Sequence, residues 1–408
     1  MKILKILPVL SVMLTLPVTA LATGASAGEL LLVAGVMTRA AAYISAGIPY
    51  KPEQAVSHKA DSNSYTPSVP VYETIEDFTA DENAAVETSE NTEITETCES
   101  TQTSESSESM KSEAEAIVIS QNIVEYDDSI DRTSEGTHSG NIIRRHYGTS
   151  TTGEYITLKS GAQVRNLTDE NDEALLNAAL QLPELDIQLD SAEPQVLIVH
   201  THTTESYEPY QRDYYDSSFP SRSRDPRYNM IAVGEVLAHS LAENGISVVH
   251  DGTLHDYPSY TGSYDRSEET IRAILEQYPS IKVVIDLHRD AMADSYRNRI
   301  APHVEINGKS AAQFMLIAGC DDGRFNMPNY MENFKLAALI QNSAELMYPG
   351  LAKAVLFDYR NYNQHITTGS LLIEVGSYAN SLDEALYTAE LLGESMAAAL
   401  SAVSASAG

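Results

Sequence analysis

The sequence predicts an α/β fold, three layers deep (α/β/α), built on a mixed, mostly parallel sheet. Three observations predict it. From about Gln195 onward, short β-branched runs alternate with stretches of helical apolar spacing. This alternation holds through to Val403. The polar residues with chemical potential stand just after the apolar strands, where open α/β sheets place their sites.

The elements follow in order. Gln195–His200 reads as a buried strand, and Tyr228–Gly245 as a helix that stops at a C-terminal glycine. Ile246–His250 is a second strand. Ser267 is placed to cap a helix over Ser267–Tyr278, with Glu268 and Glu269 in its first turn. Ile281–His288 and Gln313–Gly319 are further strands, and Asn333–Tyr348 is a helix. Ala354–Arg360 and Leu371–Gly376 are strands. A closing helix begins at Ser381, where Ser381 and Glu384 form a capping box. Upstream, Glu154–Thr168 reads as a hairpin and Asp169–Leu182 as helical, so residues 120–190 are expected to be an accessory segment beside a domain over 191–408.

The charge is uneven. The chain holds 26 Lys and Arg against 58 Asp and Glu, a formal −32. That balance excludes a nucleic-acid partner, which needs a basic face. Between Glu73 and Glu115 fourteen carboxylates face one lysine, Lys111, in a Ser/Thr-rich context. Such a stretch cannot bury enough apolar surface to offset its chain entropy, so residues 49–119 read as a disordered acidic linker. Cys98 lies in it. With Cys320 as the second of two cysteines, no disulfide framework or CxxC metal site is available.

Residues 1–48 read as an export segment. Lys2 and Lys5 precede 22 uncharged residues, Ile6–Ala27. Ala20-Leu21-Ala22 and Ala25-Ser26-Ala27 both suit signal cleavage, yet the run is long enough to span a bilayer. The expectation is an uncleaved single-pass membrane anchor with the rest of the chain extracytoplasmic, and a removed signal peptide is the alternative.

Three strand ends carry polar chemistry. His200, His202 and Glu205 follow the first strand, with Glu208 close behind. His288, Arg289 and Asp290 end the third. Glu374 lies inside Leu371–Gly376, where an unpaired carboxylate is costly and calls for a reason. Two imidazoles and a carboxylate with an open fourth position make a catalytic zinc site, and a further carboxylate beside it can move protons. Taken alone, each has a plainer reading, a hydrogen-bonded structural His or a buried ion pair of Glu374 with Arg289 or Arg360. No HExxH helix occurs, and the GxSxG match at Gly24–Gly28 lies in the export segment and not at a strand–turn–helix elbow.

The stretches from Arg227 to Ser267, YPSIKVVIDLHRDA, the YNQH of Tyr362–His365 and LLIEVGSYANSLDEA resemble the stage II sporulation protein P family over roughly residues 190–400. The resemblance implies a zinc-amidase-like fold, Zn2+ as cofactor and N-acetylmuramoyl-L-alanine amidase activity on septal peptidoglycan during engulfment. Endopeptidase activity on the peptide cross-links is the alternative from the same site, and an inactive wall-binding scaffold is the non-enzyme alternative. It also implies the stage II sporulation proteins D and M as partners, and a place at the sporulation septum.

Carried over residue by residue, the resemblance assigns His288 as a metal ligand and Glu374 as the catalytic carboxylate. His202 aligns with the first metal His, with His200 a close competitor. The amidases' metal Glu falls where this chain has Arg227, so Glu205, the nearest carboxylate to the first motif, takes that role, with Glu208 next. His200, His255, Arg289 and Asp290 are assigned to substrate or to support of the ligands.

Overall fold

The computed structural model describes residues 115–406. The expected anchor over 1–48, most of the acidic linker and Cys98 lie outside the described residues. Among the described residues, no helix is long and apolar enough to cross a membrane.

The first elements are β1 (Val118–Gln121), β2 (Gly140–Arg145), β3 (Tyr155–Thr157), β4 (Gln163–Asn166) and α1 (Asp172–Ala178). The middle of the chain forms β5 (Val196–Val199), β6 (Tyr214–Tyr215), α2 (Met230–Glu243), β7 (Val248–Asp251), α3 (Ser263–Gln277) and β8 (Val283–Asp290). Then come β9 (Arg299–Ile306), β10 (Lys309–Ala312), β11 (Phe314–Gly319), α4 (Tyr330–Met347), β12 (Val355–Asp358), β13 (Ser370–Ser377) and α5 (Leu382–Ser406).

One nine-stranded sheet runs β1-β7-β5-β8-β13-β11-β12-β4-β3. Its strands are parallel except where β11 meets β13 and β3 meets β4. Four strands form a second sheet, β10-β9-β2-β6. Residues 120–190 are therefore distributed over both sheets: β3 and β4 extend one edge of the large sheet, and β2 pairs with β9.

Residue alternation on the strands sorts the two faces of the large sheet. Val196 and Ile198 of β5, Val283, Ile285 and Leu287 of β8, and Ile373 and Val375 of β13 enter the main core with α2, α4 and α5. Leu197, Val199 and Val284 point the other way and pack with Ile271 and Ile274 of α3. Period-two geometry then assigns Asp286 and His288 to the α3 face, and Glu374 likewise. A single helix covers that face here, and the polar groups collect beside it.

Two helix starts are informative. Ser381 N donates to Glu384 Oε2 at 3.0 Å and Glu384 N to Ser381 Oγ at 3.4 Å, the reciprocal capping box that the sequence predicts. The α3 expectation needs correction. The helix begins at Ser263, behind Gly262 with φ of 79°, so Ser267 is not its cap. Ser267 sits in the first turns instead, with Oγ 2.7 Å from Thr201 Oγ1.

Candidate functional site

The strand ends of β5, β8 and β13 meet at one place. β8 and β13 run in register with His288 opposite Glu374. Beyond Glu374 the pairing shifts by a bulge before Ser377 meets Asp290. Gly376 makes this bulge, with φ of 62° and no room for a Cβ, which would lie 2.7 Å from both Ala312 Cβ and Asn380 Oδ1. Bulges of this kind re-aim side chains next to active sites.

His202 arrives from the turn after β5. Its ring meets His288 edge to face with centroids 5.2 Å apart, stacks on Tyr260 at 4.5 Å and touches Tyr264 at 5.6 Å. Glu205 comes next: its Oε2 lies 3.7 Å from His288 Nδ1. On the other side of the imidazole, Asp286 Oδ1 is 2.8 Å from His288 Nε2. Asp286 is itself held by Thr201 N at 2.8 Å and Thr201 Oγ1 at 2.7 Å.

The electrostatics divide these groups. Burial pushes His202 down to about 4, so its ring is neutral near pH 7, the form that ligates a metal. Burial also works against charge on His288, but Asp286 and Glu205 hold it up at about 9 while no cation competes for it. Asp286 stays ionised: burial raises it, and His288 with the Thr201 hydrogen bonds overcomes this, to about 2. Glu205 is likewise lowered despite its burial, by Arg289 first and then His288. Glu374 goes the other way. Burial, helped by the Asp290 carboxylate, pushes it up to about 8, the range of a group that exchanges protons near neutrality.

At the centre the buried Glu374 Oε2 has no hydrogen-bond partner. An orphaned acceptor in a polar cluster of this kind calls for a missing partner. The donor set His202, Glu205 and His288 suits zinc in kind, and Asp286 behind His288 is the carboxylate–histidine support such ligands use. Among the described residues, the one trio of acidic or imidazole ligand atoms within 4.8 Å of one another is elsewhere, Asp127, Asp128 and Asp225. Arg132 pairs with Asp128 at 2.6 Å and Arg227 with Asp225 at 2.5 Å.

The remaining candidates have other partners. His200 is buried on the opposite face. Its Nδ1 is 2.9 Å from Leu287 O and its Nε2 is 2.9 Å from His250 Nε2. His250 Nδ1 is in turn 2.8 Å from Glu235 Oε2. β5 ends at Val199, so the turn separates His200 from His202 although they are two residues apart. His255 is also buried, with Nδ1 2.8 Å from His200 O and Nε2 2.9 Å from Thr270 Oγ1. It supports the loop. Glu208 is paired with Arg212 and, at 3.2 Å, with Arg299. Arg289 pairs with neither Asp290 nor Glu374: its backbone N–H donates to Glu205 Oε2 at 3.2 Å, and its Nη1 lies 3.4 Å from Glu205 Oε1. Asp290 pairs with Lys353 Nζ at 3.2 Å.

Three residues of the site were not singled out from the sequence. Asp286 stands two residues before His288 on one strand, so the strand period alone puts them on one face. Arg222 and Tyr260 carry no comparable signal, because loops bring them in.

A family model described as Stage II sporulation protein P (SpoIIP) matches residues 40–397. The Stage II sporulation protein P of Bacillus subtilis (strain 168) is 31% identical over 202 residues, 46% of this chain. The match spans 47% of that relative, about half its length. Among solved structures, the CwlD amidase from Clostridioides difficile in complex with the GerS lipoprotein overlaps at a TM-score of 0.33 and 11% identity, covering 52% of this chain and 100% of that one. The N-acetylmuramoyl-L-alanine amidase AmiC2 of Nostoc punctiforme overlaps at a TM-score of 0.30 and 13% identity, covering 50% and 94%.

Proposed function

Because the chain belongs to the stage II sporulation protein P family, we propose that it is a zinc-dependent peptidoglycan hydrolase, an N-acetylmuramoyl-L-alanine amidase that thins septal wall during engulfment. The observation that carries this reading is the convergence of His202, Glu205, His288 and Glu374 at the ends of three strands of one sheet.

In this reading His202, Glu205 and His288 hold the zinc. The ion supplies Lewis-acid polarisation of the scissile carbonyl and a more acidic water. Arg289 keeps Glu205 ionised, and Asp286 orients the His288 ring for that task. Glu374 takes a proton from the attacking water on its buried Oε2. It then delivers the proton to the leaving amine as the carbon–nitrogen bond breaks. The lactyl amide gives peptide-free glycan and a free stem peptide. Residues 1–48 anchor the chain in the cell membrane, the acidic linker holds the enzyme toward the wall outside the cytoplasm, and the stage II sporulation proteins D and M are its partners.

Metal analysis of the purified chain, with muropeptide mass spectrometry of digested sacculi, tests this. Stoichiometric zinc and peptide-free glycan are expected. Dimers converted to monomers that retain their sugars would replace the amidase by an endopeptidase. A metal-free chain inert on sacculi would leave a wall-binding scaffold.

A further inference from the structure

The mouth of the site carries two arginine–tyrosine pairs that no step above uses. Arg222 lies on a segment that bridges Glu205 in antiparallel fashion, with its side chain 39% exposed. Its Nη1 is fixed from inside by Asp256 Oδ2 at 2.5 Å and Thr204 Oγ1 at 3.1 Å. Its Nη2 stands 3.5 Å from Glu205 Oε1, longer than a hydrogen bond to a carboxylate. The guanidinium is therefore held in one orientation while the side chain stays partly exposed.

Tyr260 is 57% exposed, yet its ring stacks on His202, and Arg222 Cζ lies 5.0 Å from its centroid. Two residues further along, Arg224 repeats the arrangement with Tyr257. Its Cζ is 4.9 Å from the ring centroid, its Nη1 donates to the phenol oxygen at 3.2 Å, and Tyr257 is 44% exposed.

We propose that Arg222 and Tyr260, extended by Arg224 and Tyr257, form a ledge that takes an acidic peptide in extended form, Arg222 gripping the carboxylate nearest the scissile amide. The proposal rests on the peptidoglycan reading for the identity of that peptide. A pre-oriented guanidinium gains most from a planar carboxylate, and the exposed rings supply flat walls for the peptide backbone.

The test uses the full chain carrying Glu374→Gln, which slows turnover, and two muramyl tripeptides that differ in one group. One has the α-carboxylate of its second residue free and the other has it as carboxamide. Calorimetry is expected to show the free carboxylate bound roughly 10- to 100-fold more tightly. Adding Arg222→Gln should erase that preference by weakening only the free form, while Arg222→Lys retains part of it. Tyr260→Ala should weaken both peptides alike. Absence of a preference, no binding of either peptide, or equal loss of both on Arg222→Gln would overturn the ledge. Hydrolysis of sacculi by the unmodified chain is scored separately, so failure of the amidase reading and failure of the ledge are distinguishable.

Discussion

Glu205 and Arg289 are joined twice: the Arg289 backbone N–H reaches Glu205 Oε2 at 3.2 Å, and its guanidinium Nη1 lies 3.4 Å from Oε1. One residue thus holds both oxygens of the carboxylate that stands beside His288. The same guanidinium also donates to Ser206 O at 3.2 Å and Ser221 O at 3.0 Å. Arg289 therefore staples the turn after β5 to the end of β8. Both side chains are nearly inaccessible, 4% and 7% exposed. Arg289→Ala is expected to cost about 3–5 kcal/mol, since it leaves a buried carboxylate without its cation. Urea unfolding reads that cost, and zinc titration should show an affinity loss of about 10- to 100-fold. Unchanged stability would mean Glu205 does not depend on this pairing.

Glu374→Gln is expected to lower the hydrolysis rate by about 10²–10⁴-fold with the fold intact. It also has a pH signature in the metal-free chain. The Glu374 carboxyl is raised from 4.5 to about 8 by burial first and by Asp290 second. Its contribution to stability is thus present below 4.5 and is lost as pH rises through 8. Unfolding free energies from pH 5 to 8.5 should decline more in the parent chain than in the variant. Parallel profiles would show that Glu374 ionises as freely in the folded chain as in the unfolded one.

On the acid side His200 acts together with His202, which burial also holds low. Burial pushes His200 down to about 3 from 6.5, with His250 as the second cause. Its neutral form therefore contributes stability above 6.5 that is lost as pH falls toward 3. Urea midpoints between pH 7 and 4 should fall, and His200→Asn should flatten that fall. A variant as acid-sensitive as the parent would move the cause elsewhere.

Gly234 tests the same buried pair by packing. A Cβ there would lie 2.5 Å from His250 Nε2 and 2.7 Å from His200 Nε2. Gly234→Ala is expected to destabilise by about 1–3 kcal/mol, although alanine is the better helix former by about 1 kcal/mol. A rise in melting temperature would show that the imidazoles have room to move.

Removing zinc should lower the melting temperature as well as activity. Ion at 100 times its dissociation constant stabilises the folded chain by about 2.7 kcal/mol, and a chelator reverses this. His202→Ala and His288→Ala should each abolish the zinc-dependent shift in a thermal scan. A shift that survives both would place the bound ion at other residues.

Much of the large sheet was legible because its strands are local apolar runs. Val196–Val199 and Val283–Leu287 face core on both sides, so neither needs a distant partner to be recognised. The small sheet was not read. β2 pairs with β9 across more than 150 residues, and β6 is two residues long. A cue was there for the β9–β10 hairpin, since Asn307 and Gly308 both take positive φ at its turn.

By itself, the sequence determined the order of the central strands of the large sheet and their helices, and placed His202, His288 and Glu374 at or just after those strands. These follow from local apolar spacing, which short segments carry within themselves. Only the tertiary structure decided which face each polar group takes. His200 and His202 are two residues apart and part company because β5 ends between Val199 and the turn. Arg289 proved to hold Glu205, and Arg222 and Tyr260 entered from loops that no periodicity governs. The physical reason is common to all of these. A side chain's partners are set by where separate strands and loops meet, and that meeting depends on packing between segments far apart in the chain.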